Sequence, residues 1–431
     1  MKHIFSASVM FIMAALCSCN ESFISTDYYI PSDTIHYDPV KDNVPVILSM
    51  TDPFYITISR GSGAIDVDRP HVKENATFHV YAFLTNNYAY KGEIDYTRKF
   101  VADGNVGEDD VIQCLVDNPE TGMGAATRLQ NNMMLDFVDN TSYYYNSINQ
   151  DYKYNFFAYY VDDAEIEGNR AVREKDNIHM NIKIDGTQDI VSAIAGITDK
   201  QIQSIDPEED KWFFSNVLNN ELVYSTLTGH RFIVPVLNAK HCMSRFKFKI
   251  VGEDAMSDGI YIQDIYVKAQ RDWRFTVAAD DFSKVGLSLP GGAENLEEVH
   301  LCDEIGEIDG SRTSLEQYTY HVAKNETIDD LGMGMLLPPR EKYDLFIKCA
   351  YVAPDGKVRS YVTKYTLNSR YVDNEGNLVN KPFEAGAVYN ISIHVYGYQT
   401  IELSMDGLEW GPPVELPPLD EDQATDEDFI E

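Results

Sequence analysis

Basic side chains are scarce: 35 Lys and Arg stand against 69 Asp and Glu, a net charge of −34. No run gathers them into a patch. A nucleic-acid backbone has to be met by such clusters, so nucleic acid is excluded as a partner. The acidity reads instead as solubility on a crowded surface. Cysteine is sparse too, 6 in 431 residues. Beyond the N-terminus, Cys114, Cys242, Cys302 and Cys349 are scattered too widely for a disulfide framework or a CxxC metal site. Buried free thiols are the default, and a disulfide stays open for an exported chain. Past the first twenty residues no stretch is apolar enough to span a bilayer.

Catalytic motifs are missing as well. The chain has no His-Glu-x-x-His, no Gly-x-Ser-x-Gly and no Walker loop. Gly61-Ser62-Gly63 begins a Gly-x-Gly, but Asp66 stands where the third Gly belongs. His241 and Cys242 are neighbours in a strand, so they point to opposite faces and make no dyad. His241 reads as a satisfied inter-strand histidine. Asp103, Asn105, Glu108, Asp109 and Asp110 fit no calcium-loop spacing and read as a solvated acidic turn. No enzyme, metal or cofactor is expected.

What is present begins with an export signal. Lys2 is followed by a short apolar stretch from Ile4 to Leu16, which ends in Leu16-Cys17-Ser18-Cys19. That ending has the form of a lipobox, with Leu three residues before a Cys and a small residue just ahead of it. The resemblance implies that Cys19 becomes the lipidated N-terminus and anchors the chain in the outer membrane. Cys17 fits less well, because Leu16 would occupy the small-residue position. An ordinary secretory signal with incidental cysteines is the alternative.

Residues 20–45 are polar, with Pro31 and Pro39, and read as a tether. Two-residue alternation then predicts strands with a buried face. It runs through Phe78, Val80, Ala82 and Leu84; Tyr154 to Tyr160; Ile178 to Ile184; Phe246, Phe248 and Ile250; and Trp273, Phe275 and Val277. A hairpin follows, with Tyr343 to Cys349 turning at Pro354-Asp355-Gly356 into Val358 to Thr366. Tyr at 28 outnumbers Phe at 20 and Trp at 3, a bias suited to half-buried sheets. The best helix candidates are Asp189 to Ile197 and Pro207 to Leu218. The chain is expected to be all-β, divided near residues 226–240 into parts 46–230 and 231–410. After Trp410 an acidic, Pro-containing tail, 411–431, reads as extended.

Several segments together resemble the fimbrillin superfamily of Bacteroidota, the Mfa-like and FimA-like pilins and pilus-associated lipoproteins. Tyr152 to Tyr160 is similar to that group's aromatic strand, and Gln188 to Ala193 to its Gln…Asp segment. Phe232 to Ile250, with His241 and Ser244-Arg245-Phe246, resembles its strand, His and second strand. Leu336-Leu337-Pro338-Pro339 before Tyr343, and Gly386 through Tyr389 to Ile391, resemble its late hairpin and closing strand. The resemblance spans about residues 50–410. The acidic tail departs from the usual ending of a stalk pilin.

The resemblance implies two β-sandwich domains of transthyretin-like form in tandem, in a subunit of a type V-like surface fimbrium. It implies other pilus subunits as partners, with adhesion to a host or bacterial surface receptor. Many such pilins are cut after an Arg beyond the first strand, and a neighbour's strand enters the groove left behind. Arg60, in Ser59-Arg60-Gly61, is the candidate cut, and Arg69 beside Pro70 a poorer one. The alternative is a chain that is never cut, with Arg60 in a surface turn, and the resemblance implies an anchor or accessory subunit in that case. Tyr389, Ile391, Ile393 and Val395 line one face of the candidate donor strand, and Ile401, Leu403 and Met405 repeat the pattern. The same residues fit an internal sandwich strand. A second function, a glycan-binding surface lipoprotein of a nutrient-uptake system, would use Tyr143, Tyr144 and Tyr145 as an exposed platform.

Overall fold

A computed structural model of the chain describes residues 44–51, 76–86, 90–101, 111–130, 132–138, 141–146, 152–162, 164–196, 201, 224–231, 233–253, 259–291, 295–301, 320–353, 355–372, 378–397, 401–409 and 413–414. Strands dominate these residues, and the longest helical piece among them is the single turn Thr226–Gly229. Cys19, Arg60, Arg69, Asp103 to Asp110, Pro207 to Leu218, Cys302, Trp410 and the acidic tail apart from Pro413 and Val414 lie outside the described residues.

The first sheet contains β1 (Leu48–Met50), β2 (Thr77–Leu84), β3 (Cys114–Val116), β4 (Ala125–Leu129), β5 (Met134–Phe137), β6 (Tyr154–Val161), β10 (Ile190–Gly196) and β11 (Val236–His241). Their order is β3-β2-β4-β5-β1-β11-β10-β6, and β6 pairs back onto β2. Seven of the eight strands therefore close into a barrel-like ring, with β3 outside it. The local reason is that β2 is apolar on both faces. Phe78, Val80, Ala82 and Leu84 fill one side while Tyr81 and Phe83 fill the other, and all are buried. A strand of that kind needs cover on both sides.

That cover on the outer side is a second sheet: β15 (Gly286–Ser288), β14 (Asp272–Ala279), β9 (Asn177–Lys183) and β7 (Glu165–Ile166), with β8 (Val172–Arg173) also on β9. Tyr81, Phe83, Phe157 and Tyr159 from the ring pack with Met180, Ile182, Trp273 and Phe275 in one apolar cluster. Tyr159 meets Phe275 edge-on at 6.0 Å. Strand pairing thus crosses residues 226–240, because β11 joins the ring and β14 pairs with β9.

Downstream lie two more sheets. One runs β18 (Thr327–Leu337), β12 (Ser244–Gly252), β23 (Ala387–Val395), β24 (Ile401–Glu409), β25 (Pro413–Val414). The other runs β16 (Leu296–His300), β13 (Ile260–Gln270), β19 (Lys342–Val352), β20 (Val358–Asn368), with β17 (Tyr320–Val322) also on β13. A second cluster holds their facing side chains, among them Phe246, Phe248, Ile265, Ile347, Tyr389 and Ile391. A short hairpin, β21 (Arg370–Val372) with β22 (Leu378–Asn380), completes the strands.

The alternating runs form strands where the pattern predicts them. The helix expected over Asp189 to Ile197 is a correction: Ile190–Gly196 of it form the strand β10. Its small residues suit the ring, where Ala193 faces Ala158 of β6 and Ala239 of β11.

Candidate functional site

The described part of the chain begins in a slot. β1 lies between β5, to which it runs antiparallel, and β11, to which it runs parallel. Leu48 stands opposite Leu135, and Met50 opposite Leu237. The segment from Val44 to Leu48 alternates, and β1 itself is buried on both faces, Ser49 included. Val44, Val46, Leu48 and Met50 are buried, while Pro45 and Ile47 are exposed. Period-2 burial over Val44–Leu48, followed by a fully buried end at Ser49 and Met50, makes this stretch a peg in a groove.

Main-chain bonds hold it on both margins. Val46 N–H donates to Tyr143 O at 2.8 Å, and Tyr145 N–H donates to Val44 O at 2.9 Å. Further along, Met50 N–H reaches Met133 O at 2.9 Å, Ser49 N–H reaches Pro235 O at 3.0 Å, and Thr51 N–H reaches Leu237 O at 2.8 Å. The Thr51 hydroxyl accepts from Ala239 N–H at 3.0 Å, mimicking one more rung. Beneath Val44 the packing is close. A Cβ on Gly229 would come within 2.5 Å of Val44 Cγ1, so only glycine lets that turn approach.

The tyrosine platform expected at residues 143–145 does not exist, which is a correction. Tyr143 and Tyr145 are each 2% exposed, and Tyr144 alone, at 39%, faces water. The bridge between Pro45 and Tyr144 is the cause, since it sets this stretch in extended alternation. The Tyr143 hydroxyl donates to Asp117 O at 2.7 Å, and its ring packs on Phe100 and Phe137.

Asp117 anchors a buried clasp beside the slot. Its carboxylate accepts from the Arg173 guanidinium and from Gly124 N–H at 3.0 Å. Arg173 also donates to Arg98 O at 2.9 Å, to Gly122 O at 3.2 Å and to Tyr96 O at 3.3 Å. Two loops, between β2 and β3 and between β3 and β4, are thereby pinned by one side chain. Burial raises the Asp117 carboxyl above the usual carboxylate range, and the neighbouring Arg173 charge opposes that rise without cancelling it.

The candidate donor residues lie elsewhere. Tyr389, Ile391, Ile393 and Val395 are buried in β23, which is paired on one side with β12 and on the other with β24. It is an internal strand of its own sheet. Ile401, Leu403 and Met405 lie in β24, whose outer margin carries only β25, at Gly407 and Leu408, among the described residues.

His241 Nδ1 sits 2.9 Å from the Asp189 carboxylate, both buried, as an inter-strand pair. Cys242 points the other way, into the cluster between the ring and the second sheet. Cys114, Cys242 and Cys349 are free and buried. Burial pushes Cys242 up to about 11 and Cys349 up to about 12, and lifts Cys114 well above the ordinary thiol value.

No family model and no curated protein matches the chain. Among solved structures it is similar to a fimbrial protein from Bacteroides vulgatus, with 10% identity and a TM-score of 0.43 over 85% of this chain and 99% of that one. It is similar to a candidate cell adhesion protein from Bacteroides uniformis, with 11% identity and a TM-score of 0.39 over 85% and 99% of the two chains. The fimbrial anchor protein Mfa2 from Porphyromonas gingivalis is a third, with 10% identity and a TM-score of 0.31 over 86% and 99%. All three are fimbrial or cell-adhesion proteins of Bacteroidota by name.

Proposed function

We propose that this chain is a structural or accessory subunit of a type V-like surface fimbrium, joined to its neighbours by strand addition. It supports adhesion and performs no catalysis. The observation that carries the reading is the β1 slot. A three-residue strand closes the ring, and four alternate apolar side chains fill its groove. Cleavage after Arg60 would sever this segment from the rest of the chain. The vacated groove would keep acceptors and donors on β5 and β11 for an incoming strand. Tyr389, Ile391, Ile393 and Val395, or the matching row Ile401, Leu403 and Met405, supply the alternation a donor needs. Since β23 is internal, donation frees β24 first. Head-to-tail contacts of this kind run on as filaments.

In the same reading the chain holds two tandem sandwich domains, 46–230 and 231–410, with β11 and β14 of the second range completing the core of the first. Lipidated Cys19 holds the subunit on the outer membrane, exposed at the surface. Burial of Tyr143 and Tyr145 removes the platform on which the nutrient-uptake reading relied.

The test is treatment of the purified protein with an Arg-specific protease. The expected result is a new N-terminus at Gly61 and a ladder of SDS-resistant polymers, both abolished by Arg60→Ala. A protein cut at Arg60 that stays monomeric at high concentration, with its N-terminal fragment still bound, would overturn the proposal.

A further inference from the structure

A groove of about 730 Å³ opens at one end of the two sheets that share the Tyr159–Phe275 cluster. It uses none of the slot residues. Thr85 and Asn86 reach it from the end of β2, Asn155 from the start of β6, and Asp280 from the end of β14. Its volume is that of a small-ligand site, yet its lining is polar almost throughout, with Ile94 the one aliphatic side chain.

Asn155 is the telling residue. It shares a face of β6 with Phe157 and Tyr159, both buried aromatics of the core. Asn is depleted in strands because it neither packs well nor favours the extended backbone. Here it is half-buried and its side-chain amide makes no hydrogen bond among the described residues, so a donor and an acceptor stand ready at the groove. Lys91 and Glu93 on the opposite wall are likewise uncommitted, and the Asn86 amide donates only to Gly92 O at 3.3 Å.

The wall itself is fixed in advance. Gln113 spends its amide on the 90–95 loop, accepting from Asp95 N–H at 2.8 Å and donating to the Tyr90 hydroxyl at 3.0 Å and Glu93 O at 3.3 Å. The Arg173 bonds to Tyr96 O and Arg98 O hold the next turn. The Tyr90 ring folds across Gly92, where a Cβ would lie 2.3 Å from its hydroxyl, and meets Tyr152 edge-on at 6.0 Å. Amides of both polarities and uncommitted charges of both signs, with the Tyr90 ring packed over Gly92 of the lining, suit a ligand that alternates hydroxyl donors and acceptors around an apolar ring face.

We propose that this groove binds a short oligosaccharide, with the Asn155 and Asn86 amides, Lys91 and Glu93 contacting its hydroxyls and the Tyr90 ring packed over Gly92 of the lining. The full chain is tested on an array of neutral and carboxylated oligosaccharides, followed by calorimetric titration with chitotriose, sialyllactose and whichever array saccharide is retained. Retention of at least one saccharide is expected, with affinity falling roughly tenfold for Asn155→Leu and for Lys91→Ala as one hydrogen bond is lost in each. Lys91→Ala, a surface change, keeps the test open should Asn155→Leu fail to fold. Selective binding of carboxylated saccharides assigns the dominant contact to Lys91, and binding of neutral ones assigns it to the amides; either supports the proposal. An array without any retained saccharide, or an affinity unchanged in both variants, overturns it.

Discussion

Replacing Leu48 by Ala should undock the first strand while leaving the rest of the molecule folded. Val44, Val46, Leu48 and Met50 are buried, and each contributes about 1.5–3 kcal/mol relative to exposure. Ordering the backbone of the Val44–Met50 segment opposes this by about 1–2 kcal/mol per residue, so the two contributions nearly cancel. The balance is tipped by the five main-chain hydrogen bonds, worth about 0.5–1.5 kcal/mol apiece. Docking of the segment is then favourable by only about 3–4 kcal/mol, less than the global stability of an ordinary domain. Leu48 is 0% exposed, and its truncation costs about 2–5 kcal/mol. That is as much as the segment has.

Native-state hydrogen exchange reads this directly. In the parent protein the amides of Ser49, Met50 and Thr51 should exchange through a sub-global opening that needs little denaturant. Those of Phe248 and Ile391, in the middle of paired strands, should exchange only on global unfolding. In Leu48→Ala the first group should lose protection while the second keeps it. Two results would refute the reasoning. The first strand's amides could exchange with the same free energy as Phe248, or the variant could unfold as a whole at a lower denaturant midpoint. In either case the strand would be part of the cooperative core and not a separable peg.

Arg173→Met should destabilise the protein by about 3–5 kcal/mol in urea titrations, because Asp117 would be left buried without its counter-charge. The deficit should grow with pH: the Asp117 carboxyl, already raised by burial, would favour the folded state below its unfolded pKa and oppose it once ionised. His79 stacks on Tyr159 at 5.1 Å, and burial lowers its pKa below 6.5, so its contribution is fully present above 6.5 and is lost as pH falls from there through the lowered folded value. The melting temperature should therefore fall less between pH 7 and 5 in His79→Phe than in the parent, and an unchanged slope would exclude the mechanism. Gly334→Ala should cost about 1–3 kcal/mol or more in the same urea assay, since φ is +95° and the new Cβ would lie 2.5 Å from Phe246 O. Peptide mapping after iodoacetamide at pH 8 should find Cys114, Cys242 and Cys349 unmodified until denaturant is added, as burial both hides the thiols and holds them protonated.

Local pattern carried a good part of this far. Phe246, Phe248 and Ile250 alternate with Lys247 and Lys249, and so mark a strand with one dry face before any partner is known. Asp189 to Ile197 misleads because Ile190, Ala193, Ile194 and Ile197 recur at helical spacing as well as along a strand. What decides is the partner: the flanking strands β6 and β11 leave room for small side chains and demand ladder bonds. Tyr143 to Tyr145 mislead for a related reason, since three polar-tipped rings in a polar context look exposed until the bridge with Pro45 turns alternate ones inward.

Ring closure is harder to read, because its decisive pairing joins Ser49 to Val236, residues remote in sequence that no local period connects. A trace of it is nevertheless present in β2, where Tyr81 and Phe83 are as apolar as Val80 and Ala82 on the other face, and a strand with no wet side cannot sit on the outside of a simple sandwich. Asn155 is the opposite case, one polar residue where the pattern calls for an aromatic. An interrupted period of this kind weakens the strand unless something outside the chain compensates, and that is why the groove at Asn155 points to a ligand more directly than any exposed charge cluster does.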